Sequence, residues 1–286
     1  MLSNCMNAYL SLRRAAGFKL DTVERYLRSY VNFATSRGDT HVVGSTVIDW
    51  AARARSDDSR GRRLDQLIRF ARFVRADDPR HDIPPDHVFC KRQHRRIPYL
   101  LTDQEVARLL CEAGNLGPTG SLRPHTYRTI FGLLAATGLR ISEVLRLRFD
   151  DLTPDGLVIR ETKFKKSRLV PLHGTVAEAL DSYLERRRRR AGADPHIFVS
   201  HRGGGSLGYE VVANTFQKVL EAAGIPDQPS RSQPRLHDFR HRFAVRALQA
   251  CPDNRDHITR HMLALSTYLG HARVEIPIGT WRAHRC

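Results

Sequence analysis

Ala136-Thr-Gly-Leu-Arg-Ile-Ser-Glu143 is the stretch of this chain on which the expected fold depends most. Gly138 predicts the end of a helix over residues 127–136, because glycine readily takes the left-handed backbone conformation that closes a helix. Ser142 predicts the N-cap of the next helix, which runs on to Leu147. Arg140 then lies between two helix ends, beside free backbone N–H groups that favour an anion.

The sequence on either side of this stretch predicts a mostly helical domain with a small antiparallel sheet. Thr102-Asp-Gln-Glu105 has the pattern of a capping box and opens a helix. Gly156–Arg160 and Arg168–Leu172 predict two strands joined by the basic turn Lys163–Lys166, and Ile197–Val199 predicts another short strand. Further helices are predicted over residues 176–190, 211–223, 237–250 and 258–265, and the arginines 186–190 are interpreted first as a solvated helix end.

Residues 1 to about 90 predict a compact bundle of about four helices, so the chain as a whole is expected to be mainly α. Apolar side chains recur at helical spacing over residues 23–34 and 64–74. Asp21 is the predicted N-cap of the first of these helices, and Ser45-Thr46 that of a short helix between them. Residues 91–100, which include the basic run Lys91–Arg96, predict a linker to a second domain over residues 101–286.

The charge of the chain indicates a polyanionic partner. The 286 residues carry a formal net charge of +17, and the sequence pI is about 10.4. Residues 1–98 hold 19 Lys and Arg against 11 Asp and Glu, and residues 99–286 hold 28 against 19. Because both predicted domains are basic, the sequence favours a protein that contacts nucleic acid with both. Solvated basic surfaces without a partner are the alternative.

Several function classes are disfavoured by features that the sequence lacks. No apolar run approaches the ~18 residues of a membrane span, and the N-terminus has no secretory pattern, so we expect a cytoplasmic protein with no membrane partner. The 5 cysteines are widely spaced and form no C-x-x-C pair, which indicates a reducing compartment and no structural zinc site. Gly203–Gly205 lacks the Gly-Lys-Ser/Thr ending of a nucleotide-binding loop.

A set of basic side chains in four short segments has the chemistry to hold one phosphodiester. The planar fork of arginine can donate two parallel hydrogen bonds to phosphate. Histidine and lysine can donate or transfer protons at such a group. The candidate site residues are Arg140 in the quoted stretch, Lys163 in the predicted turn, His237 and Arg240 on one face of a predicted helix, and His271 after Gly270.

A zinc site is the rival interpretation of one of these segments. His237 and His241 are four residues apart, as in the H-E-x-x-H helix of metalloproteases. Asp238 would then replace the general-base glutamate with a shorter side chain, and Arg240 would place a permanent cation beside a ligand. The phosphate interpretation is therefore favoured, and no metal is expected.

In their order and spacing, the segments resemble the tyrosine recombinase (phage integrase) family. The matching stretches are Ala136–Glu143, Lys163–Leu172, Leu236–His241 and Tyr268–His271. By motif the resemblance covers residues 101–275, and the combination is specific although any one stretch alone would be weak. Residues 1–90 match the family in general layout.

The resemblance implies a SAM-like core-binding domain over residues 1–90 and a catalytic domain over residues 101–286, which together form a C-shaped clamp. The implied partners are double-stranded DNA and, on DNA, further copies of the chain. No metal, nucleotide or other cofactor is implied. A tyrosine attacks the scissile phosphate and leaves a 3′-phosphotyrosine link and a free 5′-hydroxyl. By position, Arg140 and Arg240 would clamp the phosphoryl oxygens, Lys163 would be the general acid, His237 a proton-transfer group and His271 a transition-state donor.

The sequence departs from the family at the nucleophile. Similar sequences continue after Glu275 into a string like DTYWYL, whose second tyrosine attacks the phosphate, whereas here Thr280 occupies that place within Ile276–Trp281. Loss of one base would account for this: with one choice of codons, GAT ACC TAT TGG TAC CTG followed by a G loses its first G and reads ATA CCT ATT GGT ACC TGG, which encodes Ile-Pro-Ile-Gly-Thr-Trp.

We therefore expect a defective recombinase or integrase with an aberrant tail from about residue 276. A non-catalytic protein that occupies recombination sites is the alternative. The sequence leaves open whether the ancestral reaction was phage integration, the movement of another mobile element or the resolution of chromosome dimers.

Overall fold

The structure is a computed structural model that describes residues 1–89, 97–160, 167–190, 194–200, 205–225, 233–251 and 255–270. Over these residues the chain is mainly helical and has one three-stranded antiparallel sheet, which confirms the predicted fold class. None of the helices described here is long and apolar enough to cross a membrane. The chain divides into two compact units, Met1–Arg95 and Arg96–Cys286. The domain roles and the linker remain predictions.

The N-terminal unit is a bundle of helices, as predicted. Its apolar faces meet in one core, in which the side chains of Leu27, Tyr30, Trp50 and Phe70 are at most 2% exposed. Such burial of large side chains is the main favourable contribution to folding. The helices are α1 (Leu2–Ala15), α2 (Asp21–Ser36), α3 (Gly44–Ala52) and α4 (Asp57–Asp77).

The predicted N-caps of α2 and α3 are wrong. Leu20 is the N-cap of α2, so Asp21 is its first helical residue, where a carboxylate still favours the positive end of the helix. Val43 is the N-cap of α3, and Ser45-Thr46 lies inside the helix. The Gly44 N–H group donates instead to the Asp82 carboxylate at 3.0 Å. The acceptor comes from beyond α4, so the local sequence pattern does not reveal it.

The C-terminal unit contains the remaining helices and the sheet. Thr102 caps α5 in the predicted capping box: the Glu105 N–H donates to Thr102 Oγ1 at 3.2 Å, and the Thr102 N–H donates to Glu105 Oε2 at 2.7 Å. The core is centred on Phe131 of α6, whose ring lies 5.4 Å from that of Phe216 and 6.2 Å from that of Phe239. The helices are α5 (Asp103–Gly114), α6 (Arg123–Thr137), α7 (Ile141–Leu145), α8 (Gly174–Arg190), α9 (Tyr209–Ala222), α10 (Asp238–Gln249) and α11 (Arg255–Leu269).

The sheet has the strand order β1-β2-β3, with β1 at Leu152–Thr153, β2 at Gly156–Ile159 and β3 at Arg168–Val170. The antiparallel pairing of β2 and β3 confirms the predicted hairpin, and its register places Arg168 opposite Ile159. The turn that joins them lies outside the described residues. The strand predicted at Ile197–Val199 is wrong, because the described part of this segment makes isolated bridges at His196 and Val199 rather than a ladder.

Arg187 corrects the interpretation of the arginines at the end of α8. Its side chain is 1% exposed and donates to the backbone carbonyls of Asp194, His196 and Ile197 at 2.9, 3.1 and 3.2 Å. A buried guanidinium needs such acceptors, and three carbonyls of the following segment supply them. Arg187 therefore anchors that segment to α8, whereas Arg186, Arg188 and Arg189 are exposed as predicted.

Candidate active site

Arg140 lies at the junction of α6 and α7. Gly138 closes α6 with a φ of 61°, and a Cβ atom there would lie 2.6 Å from Cδ1 of Phe243, so both backbone and packing require glycine. Arg140 itself, not the predicted Ser142, is the N-cap of α7. Its backbone N–H donates to Glu143 Oε2 at 2.9 Å, which is one half of a capping box. The backbone of Arg140 is thus held on both sides.

Arg240 connects three parts of the C-terminal unit from its position in α10. Its side chain is buried, and Nη1 donates to the Gly138 carbonyl at 3.0 Å while Nη2 donates to the Leu269 carbonyl. Both carbonyls belong to helix C-terminal ends, where backbone oxygens lack partners within the helix and carry partial negative charge. The guanidinium therefore holds the end of α6 and the end of α11 together.

The Arg140 side chain reaches the same place. Its Nη1 donates to Glu143 Oε1 at 2.9 Å, and its Nη2 donates to the Gly270 carbonyl at 3.3 Å. Arg140 and Arg240 therefore meet at two successive residues, Leu269 and Gly270, although 100 residues separate them in the chain. Each guanidinium has five N–H donors, and the hydrogen bonds described here leave several of them for a ligand.

Electrostatics at this point favour an anion. Burial lowers the pKa of Arg240 to about 9, with Arg140 and Arg168 adding to the effect and Glu143 opposing it. A guanidinium remains protonated at neutral pH, so the lowered pKa means that its charge is incompletely compensated. The Glu143 carboxylate pairs with Arg140 and Arg168, and Arg240 lies near enough for its charge to interact with theirs. A bound anion would supply the missing negative charge.

Arg168 is a member of this cluster that the sequence did not single out. Its Nη1 and Nη2 donate to Oε1 and Oε2 of Glu143 at 3.1 and 2.8 Å. Burial alone would raise the pKa of the 2%-exposed Glu143 side chain, but hydrogen bonds from Arg168 and from the Arg140 backbone lower it below its usual value. In the sequence, Arg168 follows the predicted basic turn, and the only sign of its partner is Glu143 at the end of the Ala136–Glu143 stretch.

His237 lies at the entrance of α10 as its N-cap. The residue is exposed, and its ring is 4.8 Å from that of His241 in an edge-to-face arrangement. Partial burial, with His241, Arg240 and Arg140 nearby, lowers the pKa of His237 to about 4. The imidazole is therefore neutral at pH 7 and can both donate and accept a hydrogen bond.

The described residues supply no third ligand for a zinc ion beside His237 and His241. Among the residues that the structure describes, no group of three or more His, Cys, Asp and Glu side chains could hold a metal ion. His241, the second proposed ligand, has its pKa lowered by burial, while Asp238 raises it and Arg235 lowers it further. The two rings contact each other edge to face instead of converging with a third donor.

The remaining candidates fall outside the described residues. These are Lys163, with the rest of its turn, and His271, as well as Thr280 and the tail around it. Their placement stays a prediction. Tyr268, the tyrosine nearest in sequence to His271, stacks on Phe243 with ring centroids 5.5 Å apart. The side chain is partly buried and packs against the apolar core, and this burial raises the pKa of its hydroxyl.

Replacing Glu143 with glutamine tests the electrostatic account of the cluster. Glu143→Gln leaves two partly buried arginines without their carboxylate, so we expect the free energy of unfolding to fall by about 3–5 kcal/mol at pH 7. Because the pKa of Glu143 is lowered by folding, its contribution is full above its usual pKa and is lost as the pH falls through the lowered value. The difference between wild type and variant should therefore shrink below about pH 4.

Urea denaturation followed by circular dichroism, repeated from pH 7 downward, measures this difference. Asp103→Asn is the control, because the Asp103 side chain contacts Arg242 and Arg246 but is 70% exposed, and its loss should cost under about 1 kcal/mol. Equal effects of the two substitutions, or a difference that does not change with pH, would contradict the account.

Comparison of the sequence with known proteins identifies its family and several relatives. The Phage integrase family matches residues 99–276. A protein of Sinorhizobium fredii named as an integrase/recombinase, y4rB, is 37% identical over 276 residues, which cover 93% of this chain and 88% of the relative. The tyrosine recombinase XerD of Rhizobium meliloti is 30% identical over 277 residues, which cover 92% and 84%.

Solved structures share the fold at low identity. The XerH site-specific recombinase bound to a palindromic difH substrate has a TM-score of 0.67 at 16% identity, over 93% of this chain and 76% of that one. A lambda integrase (75–356) dimer bound to a COC′ core site has a TM-score of 0.66 at 17% identity, over 96% of each chain. With the family match over residues 99–276 and the relatives that span nearly all of the sequence, the chain belongs to the phage integrase family of tyrosine recombinases.

Proposed function

We propose that this chain binds double-stranded DNA and holds one phosphodiester between Arg140 and Arg240, in the manner of an enzyme of site-specific DNA recombination and integration. The observation that carries the proposal is the convergence of these two guanidinium groups on Leu269 and Gly270. The relatives described above are named as recombinases and integrases, and several solved structures of similar fold contain DNA.

The chemistry of the site suits phosphoryl transfer. Arginine forks match the geometry of phosphate oxygens, and positive charge concentrated in one place stabilises the additional negative charge of the transition state more than that of the bound phosphodiester. Neutral His237 can donate to a phosphoryl oxygen or take a proton. By the family resemblance, Lys163 would protonate the leaving oxygen and His271 would donate to the transition state.

We further propose that this copy cannot cleave DNA by itself. Thr280 stands where the family has its nucleophilic tyrosine, and the family match ends at residue 276, where the proposed change of reading frame begins. An aliphatic hydroxyl is shorter than a phenol and has a far higher pKa. Loss of a nucleophile in another covalent enzyme lowers the rate on the order of 10⁶-fold, which sets the scale expected here.

The second candidate is a non-catalytic DNA-binding protein that occupies recombination sites. The excess of positive charge in both parts of the sequence favours it, because DNA affinity survives the loss of the nucleophile. The lambda integrase and XerH structures hold DNA, and one is a dimer, so self-association of this chain on DNA belongs to the same proposal. Neither candidate predicts a covalent link between the wild-type chain and DNA, and they differ in whether a restored tyrosine gives the chain that link.

A trap for covalent intermediates separates the candidates. Nicked duplexes tiled across the DNA that flanks the gene are incubated with the protein, and adducts are detected by denaturing electrophoresis. The wild-type chain should form none. The matched control is a variant in which Asp-Thr-Tyr-Trp-Tyr-Leu replaces the six residues after Glu275; it should form an adduct on one of the same duplexes. An adduct on wild type, at Thr280 or at Tyr268, would contradict the loss of cleavage.

Salt-dependent binding tests the phosphate site. Wild-type affinity for the duplex that traps the control variant should fall steeply with salt, and Arg140→Gln should lower it about tenfold and reduce the slope of log K against log salt by about one. Arg123→Gln is the control, since Arg123 lies at the opposite end of α6, about 20 Å away along the helix. Fluorescence anisotropy measures both quantities. If Arg140→Gln and Arg123→Gln have equal effects, the phosphate does not bind at the proposed site.

A further inference from the structure

Arg168 has a geometry that the proposed function leaves unexplained. It starts β3, its side chain is 13% exposed, and both of its terminal nitrogens are used on Glu143. Its Nε is buried and makes no hydrogen bond within the described part of the chain. Both terminal nitrogens of its fork therefore donate to one carboxylate, although Nη1 also lies close to Gly270.

The Glu143 carboxylate is saturated by two arginines. Oε1 accepts from Arg140 Nη1 and Arg168 Nη1, and Oε2 accepts from the Arg140 backbone N–H and Arg168 Nη2. A carboxylate offers about four acceptor positions, and all four are filled. The Arg140 side chain consequently has one nitrogen on Glu143, and its Nη2 is free to reach the Gly270 carbonyl.

Removal of Arg168 would change where Arg140 lies. Two acceptor positions on Glu143 would open beside a guanidinium that already touches one of its oxygens. A bidentate arginine–carboxylate pair is the stronger arrangement, so Arg140 would turn its fork onto Glu143. In that orientation the Arg140 guanidinium donates to Glu143 and is no longer available to bind a phosphate.

Gly270 shows how closely Arg168 is built into the site. Its φ is +63°, and a Cβ atom there would lie 3.2 Å from Arg168 Nη1 and 3.9 Å from Arg140 Nη1. A side chain at this position would push against the Arg168 guanidinium as well as strain the backbone. The Gly270 carbonyl that accepts from Arg140 is therefore held next to Arg168.

We propose that Arg168 is a positioning residue of the phosphate site: it occupies two acceptor positions of Glu143 and so keeps the Arg140 fork turned toward the phosphate. Arg168 does not itself contact the phosphate. The proposal rests on the proposed function, since it concerns the same phosphate. It also gives β3 a role, because the strand register that pairs Arg168 with Ile159 fixes the position from which the Arg168 side chain extends.

A double-mutant cycle on duplex DNA tests the proposal. The variants are Arg140→Gln, Arg168→Gln and the two together. Affinity is measured by fluorescence anisotropy on the duplex that traps the variant with Asp-Thr-Tyr-Trp-Tyr-Leu after Glu275. Arg168→Gln should weaken binding about tenfold, the value of one charge-assisted contact. The double variant should bind no more weakly than Arg140→Gln alone, because Arg168 acts through Arg140.

Two further variants complete the test. Arg160→Gln removes an exposed arginine that follows β2 and forms an ion pair with Asp151, and it should leave affinity within twofold of wild type. Arg168→Lys keeps the charge and one donor to Glu143, so its affinity should lie between those of wild type and Arg168→Gln. If thermal unfolding shows that Arg168→Gln is not folded, the cycle is run with Arg168→Lys.

The outcomes separate this inference from the proposed function. Losses that add to about a hundredfold in the double variant would mean that Arg168 binds phosphate directly, and they would overturn the positioning role. Wild-type affinity in Arg168→Gln, together with weakened binding in Arg140→Gln, would overturn the inference alone. Absence of DNA binding by wild type, or no effect of Arg140→Gln, would overturn the proposed function and the inference with it.

Discussion

The hydrogen bonds of the buried Arg240 guanidinium are the interaction on which the rest of the site depends. A cation removed from water is costly unless acceptors surround it, and here the acceptors are the carbonyls of Gly138 and Leu269. Both are at helix C-terminal ends, which carry only partial negative charge. The contacts are sufficient to place the guanidinium but do not neutralise it. Arg240 therefore holds the parts of the site together and leaves a positive charge there that is not fully neutralised.

The single negative charge of Glu143 interacts with several arginines. Its carboxylate faces Arg140 and Arg168, and Arg240 is close enough for its charge to matter. Three guanidinium groups against one carboxylate leave an excess of about two positive charges, which would suit the proposed phosphodiester and the charge that develops during its transfer. This excess positive charge is local to the site. The overall positive charge of the chain is a separate effect, which attracts DNA over about one Debye length and weakens as the salt concentration rises.

The sequence predicted the parts of the fold and site that depend on local residues or on a specific ordered pattern. Gly138, the Thr102–Glu105 capping box and the convergence of Arg140 with Arg240 are examples. The predictions for the N-caps of α2, α3 and α7 were wrong because a cap depends on one backbone conformation and, in α3, on the distant Asp82. Arg187 was misinterpreted for a related reason: its carbonyl acceptors lie in a segment that returns to α8 only in the folded chain. Arg168 was overlooked because its link to Glu143 requires the register of the hairpin.

A crystal structure of the chain bound to duplex DNA tests the central claim most directly, through the distances from the Arg140 and Arg240 guanidinium nitrogens to the nearest phosphate oxygens. The account predicts that non-bridging oxygens of one and the same phosphodiester lie within about 3.2 Å of both side chains. Contact of the two arginines with different phosphates, or a duplex that leaves Arg240 facing only protein, would contradict it.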